Sequence, residues 1–253
     1  MTETSTSKTS PSPAAAMFKY GCEDSWTWDR NDKSPDTKLF GKNNRTVNFH
    51  PTWSKGAAGI RGTRVLNNGR YYWELGTSQR LFGTSMMFGI GTRKARIHQN
   101  AFINLIGKDE HSWGLSHKGL IFHNGKFYNY TKPFPENEAT RIGVLFDGIA
   151  GTLSFYKDGE YLGIAFQGLQ HVQEPLYPMI CSTAVKTQIS LELARRDFIN
   201  LQDRCRSIII KTMTQADLEL VKLPTSIRNY IEEAMVKVSD PPYQPAKYYI
   251  LNY

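Results

Sequence analysis

Gly69-Arg70-Tyr71-Tyr72-Trp73-Glu74-Leu75 is a short run of large aromatic and aliphatic residues opened by a glycine. Runs of this length and content, bounded by turn residues, read as β-strands. The same texture continues outward on both sides. Further strands are expected at Met86 to Thr92, Gly119 to His123, Ile142 to Asp147, Thr152 to Lys157 and Tyr161 to Phe166. Asn124-Gly125 and Asp158-Gly159 each separate two such runs. Both residues of these pairs tolerate positive φ, as a type I′ hairpin turn requires. Short strands with regular turn signals predict one mainly β domain, an antiparallel two-sheet sandwich.

The 253 residues carry 40% hydrophobic and 21% charged side chains, the balance of a globular chain with a sizeable core. No apolar run reaches the roughly 18 residues of a membrane span. The opening MTETSTSKTSPSPAAA has no apolar core of a secretory signal, so an intracellular protein is expected, in nucleus or cytoplasm. Its Ser/Thr/Pro/Ala composition predicts disorder over residues 1–16. In such a compartment Cys22, Cys181 and Cys205 are expected as thiols. The Asn44 and Asn129 sequons would then go unused. A net charge of +8 raises the question of nucleic acid, but the basic residues are dispersed. Binding of nucleic acid is disfavoured.

After Leu193 the hydrophobic period changes from two to about 3.6. Phe198, Leu201, Cys205, Ile208, Ile209 and Thr212 fall on one helical face. Thr214 and Asp217 form a capping-box start for a second helix bearing Leu218 and Val221. Leu223-Pro224 interrupts it. Thr225 or Ser226 is the expected cap of a third helix, with Ile227, Tyr230, Ile231 and Ala234 on one side. About forty residues of helix are too few to secure their own core, so the apolar faces need the sandwich or a partner.

Catalytic constellations are missing. There is no G-x-S-x-G elbow, Walker loop or H-E-x-x-H pattern. Gly89-Ile90-Gly91 reads as tight sheet packing, and Asp147 and Asp158 as turn acids beside glycines. His111, His117 and His123 are expected to be ordinary surface histidines, and no cofactor or metal is expected.

Gly59-Ile60-Arg61-Gly62, the Gly69–Leu75 run, Phe88-Gly89-Ile90-Gly91-Thr92 and Ser112-Trp113-Gly114-Leu115 together resemble the SPRY (B30.2-type) domain. So do Ile142-Gly143-Val144-Leu145-Phe146-Asp147, Gly151-Thr152-Leu153-Ser154-Phe155, Asp158-Gly159 and Leu176-Tyr177-Pro178, in family order over about 150 residues. Downstream, Leu201-x₃-Cys205-x₃-Ile209 looks like the elongin-binding box of a SOCS box. Leu223-Pro224, Ile227 and Tyr230-Ile231 resemble its cullin-binding box. The chain as a whole is similar to the SPRY domain-containing SOCS box proteins.

That resemblance implies a bent antiparallel SPRY sandwich over residues 17–196, a three-helix SOCS box over 197–236 and a Tyr-rich tail over 237–253. It implies a non-catalytic substrate receptor of a cullin-RING ubiquitin ligase. Leu201, Cys205, Ile208 and Ile209 would meet elongin C, which pairs with elongin B. Leu223, Pro224, Ile227 and Tyr230 would meet a cullin and, through it, a RING subunit. Thr225-Ser226 stand where the family carries a second proline selecting cullin-5, so cullin-2 is the alternative. Sandwich loops would bind a short, Asn-containing peptide on a client through Gly83, Thr84, Phe102, Leu105, Ala184 and Val185. Phe102 replaces a family tyrosine and loses its hydroxyl donor, and Thr183-Ala184-Val185 replaces a Val-Trp-Gly run. Losing one buried polar partner costs about 1–3 kcal/mol, so a changed motif preference is expected. The competing reading is a plain binding module whose helices pack on their own sandwich.

Overall fold

The computed structural model describes residues 22–66, 69–79, 83–197, 205, 208–210, 212–229 and 231–232. The segment 1–16, the helical-face residues Phe198, Leu201 and Tyr230, and the tail 237–253 lie outside the described residues.

Among the described residues sixteen strands run from Cys22 to Arg196. They are β1 (Cys22–Glu23), β2 (Trp28–Lys33), β3 (Thr37–Phe40), β4 (Thr46–Phe49), β5 (Ala57–Gly62), β6 (Arg70–Thr77), β7 (Met86–Gly91) and β8 (His98–Gln99). Then follow β9 (Ser112–Ser116), β10 (Leu120–His123), β11 (Lys126–Asn129), β12 (Arg141–Asp147), β13 (Thr152–Lys157), β14 (Glu160–Phe166), β15 (Tyr177–Ser182) and β16 (Thr187–Arg196). All ladders are antiparallel and form two sheets, as expected. One has the order β14-β13-β12-β6-β16-β4-β3, with β1 beside β16. The other has the order β11-β10-β9-β7-β15-β5-β2, with β8 beside β5.

The inner faces of the sheets share the main core. Trp73, Leu75, Val144, Phe155, Ile189 and Leu191 come from one sheet, and Ile60, Phe88, Leu115 and Ile180 from the other. A second, smaller core lies on the outer face of the β5-β7-β15 region. There Ala57, Met87, Met179 and Cys181 are covered by Ala95, Leu105 and Ile106 from the loops flanking β8. Central strands β5, β7 and β15 are therefore buried on both faces, which is why they read as continuous apolar runs.

The two predicted hairpin turns have the expected geometry. Asn124 and Gly125 adopt φ of 50° and 71°, and Asp158 and Gly159 adopt 49° and 88°. Gly89 has no room for a side chain, because a Cβ would overlap the Trp113 backbone. The Gly-Ile-Gly fragment is sheet packing. Asp147 Oδ1 accepts from the amides of Ile149 (3.0 Å) and Ala150 (2.9 Å), and Asp158 Oδ1 from that of Arg141 (2.9 Å).

Arg61 of the Gly-Ile-Arg-Gly motif is fully buried. Its guanidinium donates to Asp32 Oδ1 (2.5 Å) and to the carbonyls of Thr92 (2.9 Å), Arg93 (3.2 Å) and Ala95. Five fixed donors suit this fork of acceptors, and burial lowers the Arg61 pKa despite the Asp32 charge.

Two histidines depart from the surface reading. His117 is buried, with Nδ1 accepting from the Met86 amide (3.2 Å). His123 stacks on Trp113, ring centroids 4.5 Å apart, and its Nδ1 donates to the Ser112 carbonyl (2.9 Å). Desolvation holds both imidazoles below the usual value. The physical reason is the sheet itself, since His123 is covered by its cross-strand partner Trp113 and His117 is bonded to the β7 backbone at Met86.

Candidate recognition site

Register places several loops at one end of the sandwich. Thr187 of β16 faces Phe49 of β4, Ile189 faces Thr77 of β6, and Ser182 of β15 faces both Ala58 of β5 and Met86 of β7. The β4–β5, β6–β7 and β15–β16 connections must therefore meet.

Hydrogen bonds join them. The Thr183 amide donates to the Ser85 carbonyl (2.9 Å), and Thr183 Oγ1 accepts from the Ser85 amide (2.9 Å). Ser54 Oγ donates to the Thr183 carbonyl (2.7 Å). His50 Nε2 donates to the Ser182 carbonyl (3.1 Å), and the Lys186 amide donates to the His50 carbonyl (3.0 Å). His50 and Lys186 sit at φ of 47° and 57°, in the left-handed region. Such backbone is held only where surroundings over-determine it, as these bonds do. His50 Nδ1 is buried 4.0 Å from Asp36 Oδ2, too far for a hydrogen bond.

Four of the six residues expected to touch peptide fall in or beside this cluster. Gly83 and Thr84 are exposed at the end of the β6–β7 loop, and Ala184 and Val185 lie in the β15–β16 loop. Gly83 is in contact range of Ala184. The loop carrying Phe102 and Leu105 reaches the cluster through Gly56, where a Cβ would overlap the backbone of residues 99–101. Phe102 is half exposed. Leu105, at 1% exposure, belongs to the second core, so this loop offers solvent the Phe102 ring instead.

Sequence reasoning missed Trp53. It is 73% exposed, one residue before the Ser54 hydroxyl that ties this loop to Thr183. A lone tryptophan in a polar loop has no periodicity to flag it. Only its neighbours in space give it meaning. The arrangement is a set of loops fixed to one another by hydrogen bonds, with Trp53 and Phe102 exposed on them. Among the described residues no cluster of three or more His, Cys, Asp or Glu side chains is placed to hold a metal.

The helical end has its own surface. Thr214 caps the helix Gln215–Leu220 with Asp217 reciprocating, the capping box expected. The two Thr214 hydrogen bonds lower the Asp217 pKa. The next helical turns begin at residue 225, with the Pro224 carbonyl accepting from Ile227 and Arg228 (both 3.0 Å). Thr225 and Ser226 are thus helical residues and not caps. Leu218 and Ile231 are fully buried. Cys205 is exposed, as are Ile208 (61%), Leu220, Pro224 and Ile227, while Ile209 and Leu223 are partly covered. No helix among the described residues is long and apolar enough to cross a membrane.

The SPRY domain family matches residues 70–195. "SPRY domain-containing SOCS box protein 3" of Xenopus tropicalis is 35% identical over 210 residues, covering 81% of this chain and 57% of its own length. The human "SPRY domain-containing SOCS box protein 1" is 26% identical over 220 residues, covering 81% of this chain and 79% of its own. The solved TRIM65 PSpry domain superposes with a TM-score of 0.57 at 19% identity, covering 72% of this chain and 97% of that one. At that identity the likeness speaks to fold alone. Sandwich and loop end define a SPRY-domain protein. The chain belongs to the family of SPRY domain-containing SOCS box proteins, and it spans under three-fifths of the Xenopus relative it matches.

Proposed function

We propose that this chain is the substrate-recognition subunit of an elongin BC–cullin–RING ubiquitin ligase, working without bond chemistry of its own. The loops around Trp53, Gly83, Phe102 and Ala184 grip a short, Asn-containing peptide on a client. The helices recruit elongin C and a cullin, so that the client's lysines meet the charged enzyme at high effective concentration. Ubiquitination and proteasomal degradation follow, in nucleus or cytoplasm. The observation that supports this reading is the apolar surface left at Cys205, Ile208 and Ile227. Burying a leucine-sized side chain is worth about 1.5–3 kcal/mol, so a partner that covers this face gains several such increments.

Co-purification from cells expressing wild type or Leu201→Asp tests it. The wild type brings elongins B and C and a cullin, and the variant loses all three while keeping client peptide. Retention of elongins at wild-type levels by Leu201→Asp sinks the assignment of this helix.

One observation favours a rival, a binding module with a self-packed helical end. Leu218 and Ile231 are already enclosed. In that case the chain is well behaved alone and co-expressed elongins change neither its yield nor its thermal midpoint.

A further inference from the structure

A second groove lies away from the loop cluster and shares no residue with it. It has a volume of about 300 Å³ and runs between the outermost strands of the two sheets, β11 and β14. Ile121, Tyr128, Ile164 and Phe166 supply apolar wall, and His123 and Lys126 supply polar wall. Lys126 is the one charged residue among the lining residues, while Asp109 and Glu110 act on His123 from outside them. Desolvation lowers the His123 pKa.

Two features distinguish this groove from an ordinary surface dip. First, among the described residues both strands that flank it pair on one side only, so each presents an outer backbone edge to whatever enters. The β14 edge is irregular, with register shifts against β13, and its Gly163 carbonyl is already taken by Tyr130 Oη (2.6 Å). Second, Ile164 and Tyr128 remain exposed at 38% and 41% beside it, apolar surface that neither sheet covers. An extended segment fits such a slot, with alternate side chains against the apolar wall and its backbone along a strand edge. The solitary lysine asks for one carboxylate.

We infer that the β11–β14 groove is a second docking surface, which takes an extended partner peptide of alternating apolar residues led by an acidic one. Client capture at the loop end and docking at this side are then separate contacts on one sandwich.

Fluorescence anisotropy with the full chain tests this, using labelled Glu-Ile-Thr-Val-Thr-Ile-Thr and its Lys-first counterpart as probes. The Glu-first peptide is expected to bind at least tenfold tighter than the Lys-first one. Ile164→Arg abolishes binding, Trp53→Ala leaves it unchanged, and Lys126→Glu reverses the preference between the two peptides. Unchanged near-ultraviolet circular dichroism of the variants shows that the fold survives. Equal binding of both peptides, no binding, or indifference to Ile164→Arg overturns the inference. So does tenfold tighter binding by a chain ending at residue 232, which makes the tail the occupant, or self-association that Ile164→Arg removes. Loss of elongins in Leu201→Asp bears on the ligase reading and leaves this result untouched.

Discussion

A methyl group placed on Gly83 would lie 3.1 Å from the Ala184 Cβ, although 101 positions separate the two residues in the chain. Gly83 also sits at φ +101°, where a β-branched residue is strained. Conformation therefore favours glycine, and the Ala184 contact leaves little room for a larger side chain. Gly83→Val should cost about 1–3 kcal/mol and displace the loop, weakening client-peptide binding at least tenfold by calorimetry. Unaltered affinity with an intact fold would move the peptide site elsewhere.

Trp53 gives the opposite pattern. Its ring is mostly in solvent, so Trp53→Ala should shift stability by no more than about 0.5 kcal/mol. If the ring anchors client peptide, affinity falls by about 2 kcal/mol or more, as for other exposed aromatic anchors. Paired denaturation and binding measurements separate the two effects.

Arg61 matters for stability and not for binding. Arg61→Met leaves the Arg93 and Ala95 carbonyls without this donor, leaves that of Thr92 with the Ala95 amide (3.2 Å), and removes the closest partner of Asp32, which keeps Arg93 at 3.3 Å. A loss of about 3 kcal/mol is expected in urea unfolding. Arg61→Lys recovers only part of it, because one ammonium cannot span the fork.

Acid should loosen the sandwich. Burial disfavours the charged form of His117 and His123, so their folded pKa values lie below the ordinary 6.5. Between those values the unfolded chain binds more protons than the folded one, and stability falls as pH drops below about 6.5. The thermal midpoint, flat above neutrality, should decline towards pH 5. The decline should be shallower in the double variant His117→Gln, His123→Gln. An identical slope in wild type and double variant would assign the acid sensitivity to other groups.

The two halves of the helical surface can be separated. Ile208 and Ile227 are exposed, so charged substitutions there should leave the fold intact. Ile208→Asp should lose elongins and cullin together, while Ile227→Asp should keep elongins and lose cullin. Pull-downs followed by immunoblotting read both outcomes.

Local rules made the sandwich legible. Glycine-bounded aromatic runs marked β6, β7, β10, β12, β13 and β14, and Asn124-Gly125 and Asp158-Gly159 fixed two hairpins by their tolerance of positive φ. The Thr214–Asp217 capping box was equally readable, because its partners lie three residues apart. Leu105 and the histidines were less so. A leucine in a loop reads as available for contact, yet here it closes a second core on the outside of a sheet. His117 and His123 read as surface residues because nothing in their spacing reveals which strand will cover them.

Periodicity and contiguous motifs specified six of the strands, two hairpin turns, the helical end and the family. Tertiary structure alone decided that Trp53, Gly83 and Thr183 share one end, and that β11 and β14 leave a groove between them. Those neighbours are set by antiparallel register between distant strands. Ser85 and Thr183, for instance, bond across 98 residues of chain, a separation to which no local pattern is sensitive.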